Sequence, residues 1–302
     1  MLGLWRKSKT VLGRTDFGII CPVCRNSLGS AQQFAHRCVT CEFEVNTIHG
    51  VPVLREKPEE SKIDQTDEPG ARELDVRNSA NEPIPFIEEA LGSGGLVLEI
   101  GAGIERCTNP NLIKTDGFVY DPALDYVVDA HCLPFEENTF DYAYSLAVFE
   151  HLHSPWVAAD EIHRVLKPGG KVYTLVGFQQ HLHGYPHHYF NVAIPGARRL
   201  FKNFENVIVV PSPRCSLDQI AFILMDFNQM VERLDEFPVG SRPKQVKSAE
   251  HSERISRLRQ AVSDTVGGIA EYGDVLASMP ENRKAWEIIA PGLDIIATKP
   301  ES

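Results

Sequence analysis

From about residue 96 onward the hydrophobic positions recur in a regular order. Leu96, Val97, Leu98 and Ile100 form an apolar run with Glu99 inside it, as expected of a central parallel strand covered on both faces. Gly101 and Gly103 end that run. Shorter acid-ended strands follow: GFVYD to Asp121, DYVVDA with Asp129, and NTFDYAYS to Ser145. SPWVAADEIHRVL has helical spacing, with Ser154 placed as N-cap and Pro155 at the first helical position. KPGG closes it, and KVYTLVGF supplies the next apolar strand. A helix is predicted over about 82–91 ahead of this series, and FENVIVVPSP and LDIIATKP predict the last two strands. Strands alternating with helices at this pitch predict a parallel α/β sheet.

Between the last two strands, over about 214–291, apolar positions again fall at helical spacing and predict a helical insertion. Ile220, Phe222, Ile223, Leu224, Met225 and Phe227 form a stripe wider than one packed face requires. The helix around 216–234 is therefore expected over the carboxyl ends of the strands, as one wall of a pocket. The same insertion is a candidate interface for a homo-oligomer.

Upstream the pattern changes. EKPEESKIDQTDEP, from 56 to 69, is dense in charge and almost free of apolar residues, the composition of a linker. It separates an N-terminal unit, 1–56, from a main domain, 71–302, with 57–70 between them. Of the seven cysteines, four form two C-x-x-C knuckles, Cys21/Cys24 and Cys38/Cys41, thirteen residues apart. That spacing lets four thiolates converge on one zinc ion, and a fully sulfur-ligated zinc is structural. Cys107, Cys132 and Cys215 lack such spacing.

With 302 residues, 43% of them hydrophobic, the chain can bury a full core. A balance of 30 Lys+Arg against 41 Asp+Glu, net −11, argues against a phosphate-binding surface over the whole molecule. Arg6, Lys7, Lys9 and Arg14 read as a solvated polar tail. No apolar run is long enough to span a bilayer and the start lacks a signal-peptide pattern, so a cytoplasmic location is expected.

Two resemblances sharpen this picture. Residues 17 to 56, with EFEVNTIHGVPVLRE after the second knuckle, resemble the small zinc-ribbon family that activates several translation-related methyltransferases. The run from Val97 to Phe178, through DAHCLPFEENTFDYAYSLAVFEHL and RVLKPGGKVY, resembles the class I S-adenosylmethionine-dependent methyltransferases of type 11. HGYPHHYFNVAIPGARRLF, 183 to 201, is also similar to a segment of that group. The resemblance implies a Rossmann-like seven-stranded sheet with an N-terminal zinc ribbon and a helical insertion before the last strand. It implies that Gly101, Ala102 and Gly103 lie under the methionine part of the cofactor, with Glu99 at its ammonium group. Asp121 would accept from the ribose hydroxyls, Asp129 beside Ala130 would receive the adenine amino group, and Ser145 would complete the set. Carboxylates at strand ends complement a ligand carrying a sulfonium and an ammonium.

One departure is visible. Glu105 stands where many members have a third glycine, and seventeen residues separate Gly103 from Tyr120, so the first crossover helix is expected to be short or absent. A dinucleotide dehydrogenase would want that glycine for helix packing.

The acceptor is expected to be a small molecule, lipid-linked or saccharide-type. RNA or a translation factor, and a catalytically idle binding module, are the alternatives. Among the histidines of the loop after the fifth strand (His181, His183, His187 and His188), His183 and His187 are candidates for a general base. His151, in the E-H pair, reads as structural.

Overall fold

In the computed structural model the described residues are 16–56, 84–103, 109–119, 124–180, 187–212 and 292–301, with the backbone of 4–6 and helical positions 224, 253, 256–265, 267 and 268. The N-terminal unit contributes β1 (Leu4–Arg6), β2 (Gly18–Ile20), β3 (Ser27–Ser30), β4 (Gln33–Ala35), β5 (Asn46–Ile48) and β6 (Val51–Leu54). The rest supplies α1 (Pro85–Gly92), β7 (Val97–Ile100), β8 (Leu112–Asp116), β9 (Tyr126–Val128), β10 (Phe140–Leu146), α2 (Pro155–Val165), β11 (Leu166–Gly177), α3 (Ile194–Leu200), β12 (Glu205–Pro211) and β13 (Gly292–Thr298).

Strands β1 to β4 make a small antiparallel sheet in the order β1-β4-β3-β2, and the others one large sheet in the order β12-β13-β11-β10-β7-β8-β9-β6-β5. Strands β6 to β11 run parallel, while β13 pairs antiparallel with both β11 and β12. The order reverses at β7, which lies between β8 and β10, and an open α/β sheet binds its ligands at such a switch point.

Alternation within the strands assigns the two faces. Leu98, Ile100, Ala143 and Val172 join the core under α2, which buries Ala158, Ala159, Ile162 and Val165 along one stripe. Val97, Leu112, Tyr144 and Tyr173 form the other core beneath α1, where Phe86 stacks on Tyr173 at 5.7 Å. Between β7 and β8 the described residues, 101–103 and 109–111, hold no helix. Among all the described residues, no helix is long and apolar enough to cross a membrane.

Three expectations change. The seven-stranded sheet is present, but β6 and β5 extend it to nine: β6 lies parallel to β9, with Val53 opposite Val127 and Leu54 opposite Val128. The ribbon therefore has no separate core. Ile19, Phe34 and Leu54 are fully buried in one cluster with Leu98, Tyr126 and Phe135, and each such side chain stabilises the fold by roughly 1.5–3 kcal/mol. Ile20 N donates to Pro134 O at 3.0 Å, and Phe17 meets Phe135 edge-on at 5.8 Å. The linker itself, 57–70, lies outside the described residues.

The second strand is LIKTD, so the strand ends at Asp116 and not at Asp121; Asp121 lies outside the described residues. Finally, Ser154 is the N-cap residue of α2, but its hydroxyl bonds His153 Nδ1 at 2.9 Å and its amide donates to His131 Nε2 at 3.3 Å, so no side-chain cap forms. The proposed pocket helix, 216–234, also falls outside the description apart from Leu224, which is helical and half-buried.

Candidate functional site

The site grows from the carboxyl ends of β7, β8 and β9. Register sets Ile100 beside Thr115 and Thr115 beside Tyr126, so the three strand ends step forward by one residue from β7 to β8 and by one more to β9. Past Ile100 the chain turns through Gly101 (φ 73°) and Gly103 (φ 57°), left-handed values that suit glycine. Gly101 N and Ala102 N both donate to Thr115 O, at 2.8 and 3.0 Å. A Cβ on Gly101 would run into the Val148 side chain, whereas one on Gly103 would meet nothing within 4 Å. Glu99, half-buried just inside β7, receives the Thr115 hydroxyl on its carbonyl at 2.7 Å.

Asp116 closes β8 and is almost fully buried. Its Oδ2 accepts the Gly103 amide at 2.9 Å and its Oδ1 the Phe118 amide at 3.0 Å. Burial pushes the carboxyl above the usual carboxylate range, against the pull of the Gly103, Phe118 and Gly117 amides. Each oxygen retains acceptor capacity beyond its amide.

Asp129 follows β9, with a side chain 43% exposed. Its Oδ1 accepts both the amide of His131, at 2.9 Å, and His131 Nδ1, at 2.6 Å. Since His131 Nε2 already accepts from Ser154, the ring proton sits on Nδ1. That bond holds the carboxyl below its ordinary value despite burial, with Arg55 adding to the effect. Ala130 is buried next to it, and His131 stacks on His153 at 4.0 Å.

Ser145 lies at the end of β10 beside Ile100 but faces inward. It is fully buried and its hydroxyl shares a 2.6 Å hydrogen bond with Thr174. Beyond it come Ala147, itself left-handed at φ 53°, then Val148 over Gly101, then a 3-10 turn, Phe149–His151.

Glu150 in that turn is fully buried, and neither carboxyl oxygen has a hydrogen-bond partner among the described residues. Burial pushes the group up to about 7, against the pull of the amides of Glu150 and Gly177. Its carbonyl receives the amides of Tyr189 at 2.7 Å and Phe190 at 3.3 Å, and His151 Nδ1 lies 3.2 Å from His187 O. Residues 187–190 are thus strapped over the E-H turn. His187 Nδ1 lies 3.4 Å from the Tyr189 hydroxyl. His181 and His183 lie outside the described residues.

The four knuckle sulfurs converge: each lies within 4.8 Å of the others, with Cys21 and Cys41 at 3.5 Å and Cys24 and Cys38 at 3.5 Å. Tetrahedral zinc with bonds of ~2.3 Å needs sulfur separations near ~3.8 Å, so the set fits. Burial pushes Cys21 up to about 12. It also opposes ionisation of Cys38, but the Cys41 and Thr40 amides outweigh it and bring that thiol to about 6. Four thiolates packed this closely repel one another, the charge problem a divalent metal solves.

Sequence reasoning missed Asp116, Glu150 and the ribbon's own contribution. A signal existed for the first: LIKTD is the apolar, acid-ended segment next to the glycine loop.

Residues 106–174 match the family described as methyltransferase domain. Over 107 residues the chain is 38% identical to the sterol 24-C-methyltransferase erg6 of Schizosaccharomyces pombe, covering 34% of this chain and 26% of that protein. Over 114 residues it is 33% identical to the ubiquinone/menaquinone biosynthesis C-methyltransferase UbiE of Ruegeria sp. (strain TM1040), covering 35% and 42%. The chain thus spans less than half the length of either relative. A solved structure of Haemonchus contortus phosphoethanolamine N-methyltransferase 2, with phosphomonomethylethanolamine and S-adenosylhomocysteine, overlaps loosely: TM-score 0.35, 18% identity, 68% of this chain and 48% of that one. The matched segment holds Asp116, Asp129 and the E-H and K-P-G-G segments, and the glycine turn lies just ahead of it.

Proposed function

We propose that the protein transfers a methyl group from S-adenosylmethionine to a small organic acceptor of apolar, lipid-like character. The observation that carries this reading is the convergence of a left-handed glycine turn and two carboxylates, Asp116 and Asp129, at the ends of three adjacent parallel strands. Backbone can approach the methionine part along Gly101, Ala102 and Gly103, where two of the three residues carry no side chain, and Glu99 offers a carboxylate to the ammonium group. In this reading Asp116, and not Asp121, takes the ribose hydroxyls, and Asp129 with Ala130 takes the adenine edge. When bound, the cofactor supplies an electrophilic methyl on a sulfonium. The acceptor's nucleophile would bond to that methyl in line as its bond to sulfur breaks, and the sulfur would leave as a neutral thioether. The protein's part is to hold donor and acceptor in that line and keep water out.

The acceptor class leans on the names of the relatives, a sterol and a ubiquinone/menaquinone C-methyltransferase, and on the net charge of −11, which suits an uncharged acceptor better than RNA. Zinc, held by Cys21, Cys24, Cys38 and Cys41, would be structural, since four thiolates leave no open position. Calorimetry of the full chain with S-adenosylmethionine and S-adenosylhomocysteine tests the donor. Micromolar binding is expected, and no binding of either would overturn the reading. Transfer of labelled methyl into a lipid extract but not into RNA would then fix the acceptor class.

A further inference from the structure

The ribbon reaches the two loops that follow Asp116 and Asp129, and it does so with two arginines. Its cysteine knuckles are matched in backbone geometry. The residue after each second cysteine, Arg25 and Glu42, is left-handed (φ 64° and 63°) and donates its amide to the first cysteine's carbonyl, at 2.9 and 3.0 Å. Glycine would take that conformation without steric cost, so the knuckle alone does not call for arginine. The two side chains then diverge. Glu42 stays exposed and pairs with Arg37 in solvent. Arg25 turns toward the large sheet, where Nη1 donates to Leu133 O at 3.0 Å and Nη2 pairs with Glu161 Oε2 at 3.0 Å.

The Leu133 peptide is consequently held on both sides. Its amide donates to Glu161 Oε2 at 2.8 Å, and its carbonyl also receives Arg164 Nη2 at 2.8 Å. One residue earlier, the Cys132 amide donates to Asp129 O at 2.9 Å and its thiol to Pro22 O of the first knuckle at 2.9 Å. The turn from Asp129 to Leu133 is therefore fixed jointly from the ribbon and from α2. At the ribbon's other end, just past β6, Arg55 Nη1 donates to Gly117 O at 2.8 Å and the guanidinium lies over the Phe118 ring at 5.9 Å. Gly117 and Phe118 directly follow Asp116. Arg55 Nε is buried with no partner among the described residues, a donor whose acceptor fits a ligand at this edge.

We propose that Arg25 and Arg55 are positioning residues for the cofactor site: they lock the loops after β9 and β8, which carry or follow Asp129 and Asp116, so that the ribbon completes a site the sheet alone would leave loose. This rests on the methyl-transfer reading above.

The test uses the full zinc-loaded chain carrying Arg25→Ala, Arg55→Ala, Arg25→Lys or Arg55→Lys, with zinc content confirmed. One readout, amide hydrogen exchange, needs no ligand; the other is calorimetric affinity for S-adenosylhomocysteine. Arg25→Ala should raise exchange across 129–135, and Arg55→Ala across 117–119, by about tenfold, with affinity falling about tenfold in each. The KM for the cofactor should rise more than kcat falls. Lysine should restore much of the function at position 55, where one donor meets Gly117, but little at 25, where two directed bonds need the guanidinium fork. Native exchange in both loops, or native affinity in the alanine variants, would overturn the proposal. Should an alanine variant fail to fold, the two lysine variants make the same comparison. Failure of the parent protein itself to bind S-adenosylhomocysteine would count against the methyl-transfer reading, while the exchange data would still decide whether the arginines fix these loops.

Discussion

The amide of Gly103 donates to Oδ2 of Asp116 at 2.9 Å, tying the glycine turn after β7 to the acid that ends β8. Asp116→Ala removes this tie and a charge-assisted acceptor together. Cofactor affinity should fall by about 1.5–3 kcal/mol, measured by calorimetry, while Asp121→Ala should change it little. Equal losses at both positions would return the ribose to Asp121. Because burial raises the Asp116 pKa, its ionised form is lost at a higher pH than an ordinary aspartate's, and binding should weaken early on acidification.

Gly101 sits at φ 73° with Val148 pressed against the place a Cβ would occupy. Gly101→Ala should destabilise the protein by about 1–3 kcal/mol in chemical denaturation and weaken the cofactor further. Adding Val148→Ala should recover the steric part only, since backbone strain at 101 remains. Full recovery in the double variant would mean the left-handed turn carries no cost.

Glu150 sets a pH dependence whose sign is unusual for a carboxylate. Its folded-state pKa, about 7, lies above the unfolded value, so the folded protein holds the proton more tightly and stability falls as pH rises from about 4.5 to about 7. Glu150→Gln keeps the shape and removes the titration. Denaturant midpoints taken from pH 5 to 8 should fall for the parent and flatten for the variant, with a gain of up to about 3 kcal/mol at pH 8. Parallel curves would show that Glu150 finds a partner when ionised.

Zinc removal should be felt throughout the sheet. One zinc per chain is expected, and Cys24→Ser or chelation should lower a single cooperative unfolding transition, because Ile19, Phe34 and Leu54 share a core with Leu98 and Tyr126. Two separate transitions would restore an independent ribbon.

The sequence made the central strand, the glycine turn, the knuckles and the last two strands legible, because each carries an unbroken apolar run or a spacing that few structures tolerate. Asp116 was hidden by chemistry that looks wrong for a core strand. Lys114 and Thr115 are buried in β8, with the Lys114 amide donating to Asp125, and these polar residues make LIKTD look less strand-like than GFVYD. The ribbon's fusion to the sheet was hidden by Pro52: V-P-V-L reads as a turn, yet all four residues are buried. Ser145 had the right strand and the right end, but alternation turned its hydroxyl inward toward Thr174, a question of facing that the acid-ended pattern does not answer.

The parallel pairing of β6 with β9 also bears on the order in which a ribosome can finish this molecule. The knuckles can close on metal as soon as Cys41 has emerged, but Val53 and Leu54 must wait for Val127 and Val128. Until then the nascent chain presents a wholly apolar strand paired on one side only, with β5, and its open side is the kind of edge that recruits chaperones or other chains. Early zinc loading would shield half of the unit while leaving that edge open, so pauses in synthesis between Leu54 and Tyr126 should be the moments when aggregation begins.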